Sequence, residues 1–310
     1  MVKVMFMGTP MFAKRILEQL YLEENAEVIA VVTQPDQPVG RKQVMTPPEV
    51  KVLAQQHNTP VYQPVKLRKE YGELLSLGAD MIITCAYGQI VPDEVLNCVP
   101  LGAFNLHASL LPKLRGGAPI QRAIMNGMMK TGMTLMKMSS RMDAGDMIAK
   151  SEVEIEQSDD YGTLEEKLMD SGVKLLHEWF DRLCAKDYTA EPQKEEEATF
   201  APIIRPEEEK ITFTGNYRDV YNHIRGLLPR PGVYAKVEDR KLKFWHVSVS
   251  EMTTDRPDGE ILPFIGGNLC VALAGRVLVF EEVQYEGKKR CAARDFKNGV
   301  GRTLVGKRFY

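Results

Sequence analysis

The 310-residue sequence lacks most of the motifs that announce a function on their own. No G-x-G-x-x-G follows the first apolar run, because Met7-Gly8-Thr9-Pro10 offers a single glycine, and there is no G-x-x-x-x-G-K-[ST] phosphate loop. Nucleotide binding through either device is therefore disfavoured. There is no G-x-S-x-G elbow to present a nucleophilic serine. The five cysteines, Cys85, Cys98, Cys184, Cys270 and Cys291, are scattered with no C-x-x-C pair, which argues against a disulfide framework or a zinc site. No metal is expected, and a reducing, cytoplasmic setting fits. No apolar run reaches ~18 residues, so no membrane span is expected, and the N-terminus reads as a strand rather than a secretion signal. Charge of one sign is missing too: 40 Lys and Arg face 42 Asp and Glu, a formal net of −2. Taken whole, that balance speaks against a nucleic-acid partner.

What is present is a change of pattern along the chain. Apolar runs at 2–7, 28–32, 81–86, 103–106 and 133–138 alternate with helical stretches, among them one over 118–127 and one carrying Phe12, Ile16, Leu17 and Leu20 on one face. Such alternation predicts an α/β fold, with βαβ units and a mostly parallel sheet buried on both faces. Residues 191–206, rich in Glu and Pro, read as a linker. Beyond it a helix at about 217–227 and short alternating runs at 233–237, 243–249, 269–273 and 276–283 predict a smaller β-barrel or sandwich. The expected organisation is therefore a domain over 1–190, the linker, and a second domain over 207–310. Divided there, the charge is no longer neutral. Residues 207–310 carry 18 basic and 14 acidic residues, a net of +4, which leaves −6 on the remainder. The last 23 residues hold eight cations against Asp295 alone, a basic edge that can meet phosphates or simply be solvated.

Four segments carry candidate chemistry. In Phe104-Asn105-Leu106-His107-Ala108-Ser109-Leu110-Leu111-Pro112 an apolar strand ends in polar groups, at the end of the sheet where open α/β folds bind ligands. Asn105 and His107, two apart, leave the same face of an extended chain and can aim two donors at a developing oxyanion. They can equally be satisfied structural groups at a strand end. Arg141-Met142-Asp143-Ala144-Gly145-Asp146 is built as a tight turn. Its Asp143 can serve the turn alone or orient a histidine, and spacing does not bring it to His107. The 33–42 segment, with two prolines, Gly40, Arg41 and Lys42, reads as an ordered exposed loop suited to phosphate contact or to solvent. Cys85-Ala86-Tyr87-Gly88-Gln89-Ile90-Val91-Pro92 reads as a strand and turn able to line an apolar pocket.

Taken together and in this order, Gly8-Thr9-Pro10-x-Phe12-Ala13, the 33–42 loop, Asn105-x-His107-x-Ser109-Leu110-Leu111-Pro112 through Arg122, and Asp143-x-Gly145-Asp146 resemble the folate-dependent formyltransferases, and within them the members specific for methionyl-tRNA. The resemblance runs through the whole chain. It implies a Rossmann-like catalytic domain followed by an OB-like barrel, with 10-formyltetrahydrofolate as formyl donor and the amine of methionyl initiator tRNA as acceptor. It carries catalysis onto Asn105, His107 and Asp143. The folate falls on Ser109, Leu110, Leu111 and Pro112 and on Tyr87, Gly88, Gln89, Ile90 and Val91. Methionyl-tRNA falls on Phe12, Arg41 and Lys42. A cytoplasmic monomer in translation initiation is expected. Two positions depart from the family pattern: Leu228-Pro229-Arg230-Pro231-Gly232 has Arg230 where a tryptophan is usual, and Ile203 stands where a lysine usually follows Phe200-Ala201-Pro202. Two other readings stay open. One is a folate-dependent formyltransferase for an amino sugar nucleotide, which would share Asn105, His107 and Asp143. The other is a non-catalytic RNA-binding protein, in which those three residues would be broken.

Overall fold

A computed structural model describes residues 1–40 and 42–310, so the expectation on Arg41 lies outside the described residues. The chain divides into two compact units. The first is Met1–Pro119, Thr131–Glu154 and Glu165–Pro202; the second is Ile120–Lys130, Ile155–Leu164 and Ile203–Tyr310. No helix among the described residues is long and apolar enough to cross a membrane.

The N-terminal part of the chain runs β1 (Val2–Gly8), α1 (Met11–Leu22), β2 (Ala26–Val32), β3 (Gln37–Val39), β4 (Val44–Thr46), α2 (Glu49–Gln56), β5 (Val61–Tyr62), β6 (Met81–Cys85), α3 (Asp93–Leu96), β7 (Gly102–His107), α4 (Pro119–Met125), β8 (Lys130–Lys137), β9 (Met147–Glu154) and α5 (Tyr161–Ala185). Seven strands form one sheet in the order β5-β2-β1-β6-β7-β8-β9. The pairs β5/β2, β2/β1, β1/β6 and β6/β7 are parallel, and β8 runs antiparallel to β7. Burial on both faces explains the continuous apolar runs: β6 is buried along its whole length and β1 from Val4 to Gly8. Helix α1 buries Phe12, Ala13, Ile16, Leu17 and Leu20. It approaches β1 so closely that a Cβ on Gly8 would lie 2.5 Å from that of Ala13 and 2.8 Å from the Cys85 carbonyl oxygen.

Strand order reverses between β1 and β6, which opens a crevice at their carboxyl ends, the usual ligand position in such sheets. The loops that follow β1, β2 and β6 are tied together there. Thr9 Oγ1 donates to the Tyr87 carbonyl at 3.1 Å, and Gln34 Nε2 donates to the same oxygen at 3.1 Å. The 33–42 segment, expected as a loop, contains β3, which pairs antiparallel with β4 as an exposed hairpin. Strand β9 was not legible from hydropathy because it alternates between half-buried and exposed residues.

The C-terminal part runs α6 (Tyr217–Gly226), β10 (Val233–Val237), β11 (Arg240–Thr253), β12 (Ile261–Ile265), β13 (Asn268–Leu273), β14 (Arg276–Tyr285), β15 (Cys291–Ala292), α7 (Ala293–Phe296) and α8 (Arg302–Leu304). The antiparallel sheet has the order β10-β11-β14-β13-β12, with β15 on β14. The chain end bridges its two edges. Gly306 N donates to Ile261 O and Ile261 N to Lys307 O, both at 2.8 Å, beside β12; Tyr310 and Lys236 exchange backbone bonds at 3.0 and 3.3 Å beside β10. This closure makes the sheet a small barrel. Phe213, Phe244, Phe280 and Phe309 pack at its centre, with Phe244 and Phe280 4.3 Å apart and Phe213 and Phe309 5.2 Å apart.

Candidate active site

The site grows from the end of β7. Parallel pairing sets Asn105 beside Thr84 of β6, and antiparallel pairing sets His107 beside Thr134 of β8. Thr84 Oγ1 donates to Asn105 Oδ1 at 2.8 Å. That fixes the amide orientation and leaves the two N–H donors of Asn105 uncommitted among the described residues. His107 is buried, 7% exposed, and its Nε2 lies 3.0 Å from the Leu114 carbonyl oxygen. A carbonyl only accepts, so this nitrogen carries hydrogen and Nδ1 is the position that takes up or releases a proton.

Nδ1 faces Asp143 Oδ1 at 3.7 Å. The structure thus brings His107 and Asp143 together across 36 residues of chain, which spacing alone did not do. The other carboxylate oxygen, Oδ2, accepts from Gly116 N at 2.8 Å. Asp143 sits in the left-handed region with φ of 50°, which Asp tolerates better than most residues. Its turn folds tightly against β8: a Cβ on Gly145 would lie 1.8 Å from the Lys137 carbonyl oxygen, so only glycine fits.

The remaining expected site residues divide. Leu111 and Pro112 are buried and Leu110 is half-buried. The Ser109 hydroxyl is spent on the Lys113 carbonyl at 2.6 Å, which makes it a brace for the 109–113 turn. Tyr87 and Val91 are buried, while Gly88 and Ile90 are exposed at the crevice rim. Gln89 is committed to the loops: its Nε2 donates to Gln34 Oε1 at 3.2 Å and to Pro64 O at 3.1 Å, and its Oε1 accepts from Leu67 N at 2.8 Å. Phe12 is 6% exposed in the first turn of α1. Lys42 lies exposed at the hairpin between β3 and β4. Burial pushes the Cys85 thiol, at the end of β6, up to about 12, which leaves no thiolate for nucleophilic chemistry.

Sequence reasoning missed Gln193. It is 9% exposed, and its Nε2 donates to the carbonyls of both Asp143 and Gly145 at 2.8 Å. Its Oε1 accepts from Arg115 Nε at 2.9 Å, and Arg115 forks onto Glu195 at 3.1 and 3.2 Å. Arg115 and then Arg141, both hydrogen-bonded to it, hold the Glu195 carboxyl below its ordinary range. No periodicity marks a glutamine in a stretch of Glu and Lys.

An uncommitted amide donor and a buried histidine facing a carboxylate, gathered at the end of β7, are groups that acyl-transfer chemistry can use. The profile described as Formyl transferase matches residues 2–179, and that of the formyl transferase C-terminal domain matches residues 203–301. The chain belongs to the formyl transferase family and is a formyl-transferring enzyme. Over its whole length it is similar to the methionyl-tRNA formyltransferase of Staphylococcus epidermidis (strain ATCC 12228), at 44% identity over 310 residues and 99% of each chain. The methionyl-tRNA formyltransferase of Staphylococcus aureus (strain N315) is 43% identical over 311 residues, again 99% of each chain. Among solved structures, the N-formyltransferase from Helicobacter canadensis, in complex with folinic acid and dTDP-3-aminofucose, has a TM-score of 0.68 at 17% identity over 90% of this chain and 98% of that one. HypX from Aquifex aeolicus, in complex with tetrahydrofolic acid, has a TM-score of 0.66 at 17% identity over 97% of this chain and 48% of that one. At those identities the likeness is one of fold.

Proposed function

We propose that this enzyme transfers the formyl group of 10-formyltetrahydrofolate to the amino group of methionyl initiator tRNA, in the cytoplasm and as a monomer. The observation that carries the substrate assignment is similarity along the whole chain, barrel included, to methionyl-tRNA formyltransferases. Residues 1–190 hold the transfer site, residues 207–310 serve the tRNA, and 191–206 connect them, with 191–202 belonging to the first unit. The folate lies along 87–91 and 109–112, where backbone groups and apolar side chains meet at the crevice. Methionyl-tRNA is met by Phe12, Arg41 and Lys42.

Attack of an amine on a formyl carbon builds negative charge on the formyl oxygen and leaves a surplus proton on nitrogen. Asn105 supplies N–H donors to the oxygen. His107, whose Nδ1 faces Asp143, takes that proton, and a proton passes to the departing tetrahydrofolate nitrogen as its bond to the formyl carbon breaks. The uncommitted amide of Asn105 and the pairing of His107 with Asp143 support these roles.

The test offers 10-formyltetrahydrofolate with charged initiator tRNA in one reaction and with an amino sugar nucleotide in another. Formylmethionine on the tRNA is the expected product. Formylation of the sugar amine alone would overturn the substrate assignment.

A further inference from the structure

We propose that Gln193 is a positioning residue for formyl transfer, one that sets the Asp143 turn against His107. The inference rests on the reading of His107 and Asp143 as catalytic. The Gln193 carboxamide spends both of its N–H donors and one of its oxygen's two lone pairs. Two N–H donors go to the Asp143 and Gly145 carbonyls, and the oxygen takes Arg115 Nε. Turned over, it would set its oxygen against two carbonyls and its NH₂ against a guanidinium, so only one orientation is satisfied. Arg115, 2% exposed, is itself fixed by the fork onto Glu195. The chain Glu195–Arg115–Gln193 therefore ends on the backbone of the one turn that presents Asp143.

The same strand of chain holds the histidine side. Leu114, whose carbonyl takes the His107 Nε2 hydrogen, donates its own N–H to Thr199 Oγ1 at 2.9 Å. Arg115 N donates to Thr199 O at 2.9 Å and Ala201 N to Arg115 O at 2.7 Å. Gly116, whose N–H holds Asp143 Oδ2, has φ of 121°, and a Cβ there would lie 2.7 Å from the Ala201 carbonyl oxygen. Residues 193–201 thus brace both partners of the His107–Asp143 pair, which stands at 3.7 Å, short of hydrogen-bond contact. At that separation a small displacement of the turn changes the coupling between them.

The experiment compares wild type with Gln193→Met, which removes all three bonds, and Gln193→Glu, which keeps the acceptor toward Arg115 and removes the donors. Both should lower kcat for methionyl-tRNA formylation by about 10- to 100-fold, the cost of misplacing a reacting group by about 1 Å. KM for each substrate should stay within about twofold and the pH profile of kcat should move. In an Asp143→Asn background, Gln193→Met should add little, because residues acting as one unit are not additive. A full additional loss in that background overturns the inference. So does a lowered melting temperature with unchanged kcat and pH profile in the folded protein, which is the signature of a structural brace only. If Asp143→Asn is itself fully active, the site reading fails and this inference with it. If Asp143→Asn is inactive and both Gln193 variants are normal, the inference alone fails.

Discussion

At the scale of single residues, the sequence reveals a side chain's placement where backbone geometry dictates it and hides it where tertiary approach does. Asn105 and His107 were legible because strand period 2 puts them on one face and an apolar run ends beside them. Asp143 was legible as a turn residue, but its place behind His107 depends on β8 lying between β7 and the turn, which no local pattern encodes. Gln193 was illegible, since it touches the Asp143 turn only across 50 residues of chain. The chemistry makes a direct prediction here. His107→Ala and Asp143→Asn should each lower kcat by about 100-fold or more, the usual loss for a proton-handling or charge-stabilising group. Single-turnover formylation measures this, and near-normal turnover in either variant refutes the assignment.

At the scale of elements, strands with a strong apolar signal were found in the sequence at nearly their observed limits, for example β10, whose burial alternates, and β13, a run buried from Leu269 to Leu273. Elements without that contrast were missed. Strand β12 carries Pro263 and only a short alternation, and residues 306–310 looked like a basic tail. Yet this tail closes the barrel through backbone bonds and buries Phe309, 6% exposed, among Phe213 and Phe244. Phe309→Ala should destabilise the barrel by about 3–5 kcal/mol, the range for emptying a buried aromatic site, and a urea titration reads it. An acid-sensitive element lies in the same unit. Arg122 forks onto Glu208 at 2.6 and 2.9 Å, and this bonding, ahead of a backbone bond from Arg205, holds the Glu208 carboxyl down to about 2. A depressed carboxyl contributes stability above its unfolded value of about 4.3 and loses it as pH falls toward the folded value. The Glu208 side chain is 26% exposed, so the contribution is about 1 kcal/mol. Wild type should therefore exceed Glu208→Gln in stability at pH 7, and the gap should close between about pH 4 and pH 2. A gap that persists at pH 2 would assign it to packing.

At the scale of the whole molecule, a net charge of −2 concealed opposite halves, and the structure refines which cations are available to a polyanion. Of the eight in the last 23 residues, Arg290 is paired with Glu282 and Lys307 with Glu238, while Arg308 bonds the Asp258 carbonyl. Lys288, Lys289, Arg294, Lys297 and Arg302 have no carboxylate partner among the described residues, so their charge is not cancelled locally. If these residues meet tRNA phosphates, each contact releases a condensed counterion, and the logarithm of affinity falls with the logarithm of salt by about 0.9 per phosphate on a duplex. Replacing Lys288, Lys289 and Lys297 with glutamate should then raise KM for methionyl-tRNA at low salt and flatten its salt dependence by about 2 to 3 in slope. KM for the folate should not move, because the residues proposed to hold it, 87–91 and 109–112, lie in the first unit. A variant with the wild-type slope would show that the barrel's positive charge serves solubility, and that tRNA affinity resides elsewhere in the chain.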